Sequence, residues 1–141
     1  MLNWQRAFLF GLMLLWFSSV LANKPMAPDS IDGVITVSAK DVIELILNNS
    51  ELIVIDSRHQ DEYNKGHIEG AINVLNTDLT LDDLQRLTDN FLTPILFYCN
   101  GERCLRSSQS AIQAKKWGYQ QIYWFRQGWI DWIDRQYPVE Y

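Results

Sequence analysis

Cysteine is scarce in this sequence: 141 residues hold two, Cys99 and Cys104. That excludes the multi-bridge framework of a disulfide-stapled scaffold. With the two histidines, His59 and His67, the pair fits no usual zinc spacing. Runs of like charge are also missing. No block of five occurs, so there is neither an acidic tail nor a basic arm. The formal net charge of −5 argues against nucleic acid or an anionic membrane surface as a partner. If the substrate is an anion, a few local groups must attract it. No apolar run reaches the ~20 residues that a membrane-spanning helix requires. Internal repeats and low-complexity tracts are lacking as well, which excludes repeat arrays and disordered linkers.

What is present is a packed globular composition, 48% apolar and 21% charged, at a length that suits one domain. The six Trp, six Tyr and six Phe read as core material before ligand stacking. At the N-terminus Arg6 precedes the apolar run Ala7–Phe17. Ser18 and Ser19 follow, and then Val20-Leu21-Ala22 with small residues at the positions a signal peptidase requires. Residues 1–22 are expected as a signal peptide cut before Asn23. The chain is then exported, periplasmic if bacterial, with no stable membrane insertion after processing. No Cys follows the cut, so a lipid anchor is not indicated. Residues 23–32, with two prolines and no periodicity, read as an extended leader, and 33–141 as the domain.

Within the domain, strands and helices alternate. Val34–Val37 reads as a short strand. Ser38, with Asp41 three residues on, caps a helix with apolar Val42, Leu45 and Ile46 that Asn48-Asn49-Ser50 ends. Leu52–Ile55 and Ile95–Tyr98 are continuous apolar runs, as in strands buried on both faces. Gln60–Lys65 has helical character, Ala71–Val74 is another strand and Leu81–Leu87 another helix. Ser107 or Ser108 is expected to cap a helix running through Lys116 and closed by Gly118. Gln121–Phe125 and Gly128–Arg135 complete the order as strand and helix. The pattern predicts an α/β fold: a parallel β-sheet flanked by helices on both faces, with ligands at the carboxyl ends of the strands.

Two loops fall at those ends. One follows Tyr98 and runs Cys99-Asn100-Gly101-Glu102-Arg103-Cys104-Leu105-Arg106. A loop that enters a helix N-terminus turns backbone N–H groups inward and carries the positive end of the helix dipole. A thiol at its centre should ionise more readily, toward ~3.5–7.5 in place of ~8.5. Arg103 and Arg106 add positive charge and Glu102 removes some, so the layout suits a thiolate nucleophile in an anion cradle. The competing reading is a buried core cysteine at a strand end. The other loop holds Asp56-Ser-Arg58, Glu62-Tyr63 and Gly66-His67-Ile-Glu-Gly-Ala71. Asp56 and Arg58 can tie a turn, Arg58 and Glu62 are spaced to pair, and His67 reads as a loop-locking hydrogen-bond group before it reads as a catalyst. Cys99 and Cys104 are near enough in sequence to bond. Spacing leaves open whether they form a structural bridge or do thiol chemistry, since a short loop gains little stability from closure.

Taken together, Val54-Ile-Asp-Ser-Arg58, Gly66-His-Ile-Glu-Gly-Ala-Ile-Asn73, Leu96-Phe-Tyr-Cys99, Gly118-Tyr119, Arg126-Gln-Gly128 and Tyr137-Pro-Val139 resemble the rhodanese family. The resemblance runs from about Val34 to Glu140. It implies a single compact α/β domain and a sulfurtransferase. Cys99 would carry a persulfide taken from a small anionic donor such as thiosulfate and pass the sulfur to a thiol or cyanide acceptor. Asn100, Gly101, Glu102, Arg103, Cys104 and Arg106 would bind the donor, and Asp56, Arg58 and His67 would hold the scaffold. No cofactor or metal is implied. Two departures stand out: Cys104 occupies the place where many members have Arg, and Gln127 the place of a glycine. The alternatives are a thiol–disulfide protein using both cysteines, a Cys-dependent phosphatase or arsenate-reductase-like enzyme, and a non-catalytic sulfur-binding module.

Overall fold

The computed structural model describes residues 24–141; the expected signal peptide and its cut lie outside the described residues. In chain order the elements are β1 (Ile35–Thr36), α1 (Ala39–Asn48), β2 (Ile53–Asp56), α2 (Gln60–Tyr63), β3 (His67–Ile68), β4 (Ile72–Asn73), α3 (Leu81–Leu87), β5 (Ile95–Tyr98), α4 (Arg106–Lys116), β6 (Ile122–Phe125), α5 (Gly128–Asp134) and β7 (Val139–Glu140). Five strands form one sheet in the order β1-β6-β5-β2-β4, every neighbouring pair parallel.

The continuous apolar runs explain the layering. Along β5, Ile95 and Phe97 point to one face, where they meet Trp124, Leu84 of α3 and Ala111 and Ala114 of α4. Leu96 and Tyr98 point to the other, against Phe125, Ala39 and Val42 of α1, and Trp132 of α5. Alternate side chains serve two cores, so a central parallel strand has no polar face. Two helices begin on the reciprocal caps their sequences encode. Ser38 Oγ accepts the Asp41 N–H while Asp41 accepts the Ser38 N–H at 2.8 Å, and Thr80 and Asp83 repeat the arrangement.

Three features differ from expectation. Neither Ser107 nor Ser108 caps α4, which starts at Arg106 after Leu105 with no side-chain cap. Both serines are inside: Ser107 Oγ accepts the indole N–H of Trp124 at 3.0 Å, and Ser108 Oγ donates to the Leu105 carbonyl at 2.8 Å. Second, β3 and β7 form a small antiparallel pair, His67 opposite Glu140, apart from the main sheet. Third, the segment expected as an extended leader has no helix or strand from 24 to 32, yet it is bound into the fold. Ala27 and Ile31 are buried in the core beneath α4, and the Ala27 N–H donates to the Glu102 carbonyl at 2.7 Å.

Candidate active site

Register brings the two singled-out loops together. Asp56, the last residue of β2, lies beside Tyr98, the last of β5, so the chain leaves both strands at one edge of the sheet. Cys99 follows directly and is 1% exposed. Its carbonyl accepts the Trp129 N–H at 2.8 Å, and the Asn100 carbonyl accepts that of Ile130 at 3.0 Å, which fastens the start of the loop to α5. This seat depends on Gly128, whose φ is +61° and whose position leaves no room for a Cβ beside the Cys99 carbonyl. The loop then turns, the Cys104 N–H reaching the Gly101 carbonyl at 2.9 Å. Cys99 and Cys104 are disulfide-bonded, with Cα atoms 6.2 Å apart. Cys104 is half-buried and lines an open cleft of about 690 Å³, and Cys99 is sealed behind it.

One cation faces the sulfurs. Arg106, the first residue of α4, places Nη1 4.0 Å from Cys99 Sγ and 3.7 Å from Cys104 Sγ. The positive end of the helix dipole adds to its charge there. A counter-charge comes from Glu62, whose Oε2 is 3.7 Å from the same Nη1 and whose Oε1 accepts from the Asn100 amide at 2.7 Å. Partial burial works against the Glu62 charge. The hydrogen bonds from Asn100 and the His59 N–H, with the Arg106 charge, outweigh it and hold the carboxyl below its ordinary range. Of the remaining loop residues, Gly101 and Arg103 line the cleft, Arg103 exposed. Glu102 is drawn toward the N-terminal segment by Arg126, Oε1 to Nη1 at 2.5 Å.

The expected scaffold residues form a separate buried network. Arg58 donates to both oxygens of Asp56, at 3.0 Å from Nε and 2.6 Å from Nη2, and to the Gly66 carbonyl at 2.8 Å. Its guanidinium lies over the Trp129 ring, 4.4 Å from the centroid. Burial opposes the Arg58 charge, but the bonds to Asp56 raise its pKa nonetheless. Burial and the Asp56 charge push the Tyr98 hydroxyl well above its ordinary value, so it remains a donor, reaching Asp56 at 2.5 Å. His67 is 5% exposed and stacks on Tyr63; Nδ1 is 3.0 Å from the Tyr63 carbonyl and Nε2 3.6 Å from Glu140. Its partners lock the loop to β7. The expected Arg58–Glu62 pair does not form: Arg58 turns to Asp56, and Glu62 turns to Asn100 and Arg106.

Sequence reasoning missed Glu62 as a member of the site, because its partners lie 38 and 44 positions away. It also missed Ile130, Asp131 and Asp134, which wall the cleft from α5. Among the described residues, no group of three His, Cys, Asp or Glu side chains gathers as a metal would require.

A parallel α/β domain whose central strand ends on a buried cysteine, behind a loop that enters a helix at an arginine, defines a cysteine-loop class. The comparisons make the class specific. The profile of the rhodanese-like domain matches residues 38–135, and the chain belongs to that family. It is 22% identical to the uncharacterized protein YibN of Escherichia coli (strain K12) over 129 residues, covering 91% of this chain and 88% of YibN. Two solved structures share the fold. The BH2092 protein of Bacillus halodurans has a TM-score of 0.66 and 23% identity, over 75% of this chain and 76% of its own. A thiosulfate sulfurtransferase from Pseudomonas aeruginosa has a TM-score of 0.61 and 25% identity, over 77% of this chain and 20% of its own.

Proposed function

We propose that this protein is a sulfurtransferase that takes a sulfane sulfur from a small anionic donor such as thiosulfate and carries it as a persulfide on Cys99. The observation that carries the reading is the seat of Cys99: directly after a central strand, buried behind the Cys104 that lines the cleft, 4.0 Å from the guanidinium of Arg106. A thiolate there is favoured by Arg106 and the start of α4, and the same charges attract a dianionic donor. In the reduced protein the thiolate attacks the outer sulfur of thiosulfate. The new S–S bond forms as the old one breaks, and sulfite leaves with the electron pair. The sulfur then passes to a thiol or cyanide. Kinship to a family that includes a thiosulfate sulfurtransferase supports the reaction class.

The test is intact mass of Cys104→Ser, which has no second thiol beside Cys99, after reduction and brief exposure to thiosulfate, with sulfite release followed in the unsubstituted protein. The expected product is the chain plus one sulfur, with the gain removed by cyanide. Cys99→Ser should neither gain the mass nor release sulfite above the uncatalysed background, because a hydroxyl at neutral pH is a far weaker nucleophile and cannot hold a sulfane sulfur. Sulfur loading of Cys99→Ser would refute the assignment.

The disulfide favours a second reading, a thiol–disulfide protein that exchanges with partner dithiols at Cys104. Unlike the first, it predicts full activity without any sulfane donor. Export forms part of the proposal, since an oxidising compartment is where such a bond persists. N-terminal sequencing of the secreted protein should begin at Asn23, and an intact Met1 would contradict it.

A further inference from the structure

The bond between Cys99 and Cys104 has little to do as a staple. A bridge across five positions removes little chain entropy. The loop is already fixed on both sides of it: Cys99 and Asn100 by the N–H groups of Trp129 and Ile130, and the turn by Cys104 to Gly101. The arrangement is that of a reacting pair. Cys99 is sealed, Cys104 stands between it and the cleft, and Arg106 Nη1 faces both sulfurs. Whatever sulfur Cys99 carries, Cys104 is the thiol that the chain itself holds within bonding reach, its Cα 6.2 Å away.

From this we infer that Cys104 is the built-in acceptor of the Cys99 persulfide, and that the protein reduces sulfane sulfur to sulfide with an external dithiol as its reductant. The inference rests on the persulfide reading of Cys99 and extends it. The Cys104 thiolate attacks Cys99 Sγ. A bond forms between the two cysteine sulfurs, and the bond from Cys99 Sγ to the outer sulfur breaks. Hydrosulfide leaves with the electron pair and the proton that Cys104 gave up. The sulfane sulfur gains two electrons, and the two cysteines lose them as a disulfide, the bond that the structure holds. Tethering favours this step over any dilute external thiol.

Regeneration follows from exposure. An incoming thiolate meets Cys104 first, and attack there expels Cys99 as a thiolate beside Arg106. The mixed disulfide left on Cys104 is cleared by the second thiol of the same reductant, so a dithiol serves where a monothiol stalls. The net reaction takes thiosulfate and a dithiol to sulfite, hydrogen sulfide and a cyclic or paired disulfide. It also accounts for the residue at position 104, where many members of the family have Arg.

The experiment follows sulfite and sulfide together, without oxygen, after the reduced protein is freed of reductant and mixed with thiosulfate. The expected result is one sulfide for each sulfite, one of each per chain, followed by arrest with both thiols consumed. Adding a dithiol should restart sulfide release, and an equal concentration of thiol groups supplied as a monothiol should do so far more slowly. In Cys104→Ser and Cys104→Ala the ratio of sulfide to sulfite should fall from one to near zero, whatever the rate of the first step, and the chain should retain one added sulfur. Sulfite without sulfide from the unsubstituted protein, with a persulfide that persists, would overturn the inference and leave the sulfurtransferase reading standing. Absence of sulfite from the reduced protein would overturn both.

Discussion

At the scale of single residues, the site is an argument between Arg106 and Glu62. Arg106 brings its guanidinium within 4.0 Å of both sulfurs, and Glu62 takes part of its charge at 3.7 Å. Both side chains are about one-third exposed, so solvent screens the pair and each effect is moderate. Arg106→Ala should lower kcat/KM for thiosulfate by about ten- to a hundredfold, the size of one charge-assisted contact, with the urea midpoint barely moved. Glu62→Gln should act the other way and lower KM for thiosulfate, since Arg106 then faces the anion uncompensated. The pH dependence has a definite sign. The Glu62 carboxyl is held below its ordinary range, so its contribution to stability is complete above the unfolded value of 4.5 and is lost as pH falls through the lower folded value. The stability gap between the parent protein and Glu62→Gln should therefore be constant near neutrality and close only in acid. A gap that changes between pH 6 and 8, followed by urea titration, would assign the effect to another group.

At the scale of elements, what could be read from the sequence was what local chemistry controls. The run expected at Leu52–Ile55 stands one residue on as Ile53–Asp56, and the run Ile95–Tyr98 and the cap Ser38/Asp41 stand as their patterns predict, because each depends on neighbours a few positions away. The two-residue strands β3 and β7 have no period to detect, and each exists because of a partner some 70 positions distant. Ser107 has the chemistry of a cap but was claimed by Trp124 from across the fold. Likewise the loop after Cys99 was legible in residue type, whereas its closed pair and the cleft wall from α5 depend on tertiary placement. The start of α5 carries a prediction. Gly128 lies at φ +61° against the Cys99 carbonyl. Gly128→Ala should cost about 1–2 kcal/mol for the left-handed backbone alone, and more because the loop must shift. Sulfur loading of Cys99 should fall together with stability. A variant with an unchanged urea midpoint and unchanged loading would show that the close approach is immaterial.

At the scale of the whole molecule, the segment from Ala27 to Ile31 joins the N-terminal end of the domain to its reactive loop. Arg126, at the end of β6, is the clasp. Its Nε donates to the Pro28 carbonyl at 2.8 Å, its Nη2 to the Ala27 carbonyl at 3.1 Å, and its Nη1 to Glu102 at 2.5 Å. The Ala27 N–H closes the circuit on the Glu102 carbonyl at 2.7 Å. One side chain thus ties together two stretches of irregular backbone that share no ladder with the sheet, and the segment's other holds are the burial of Ala27 and Ile31 and the bonds from Lys115 Nζ to the Asp32 carbonyl and carboxylate. Removing it should open that end locally while the two cores, which Arg126 does not enter, stay folded. Arg126→Ala is accordingly expected to keep a cooperative unfolding transition within about 1–2 kcal/mol of the parent. Limited proteolysis should cut it within 24–32 much faster than the parent, and Cys104, whose loop has lost its outer tie, should be reduced faster by a dithiol. Arg126→Lys keeps one charge for Glu102 but cannot reach three acceptors in a fork, so it should restore only part of the protection. Equal proteolysis rates in the parent and Arg126→Ala would mean that the burial of Ala27 and Ile31 and the Lys115–Asp32 bonds hold the segment down without Arg126, and the loop would then be independent of it.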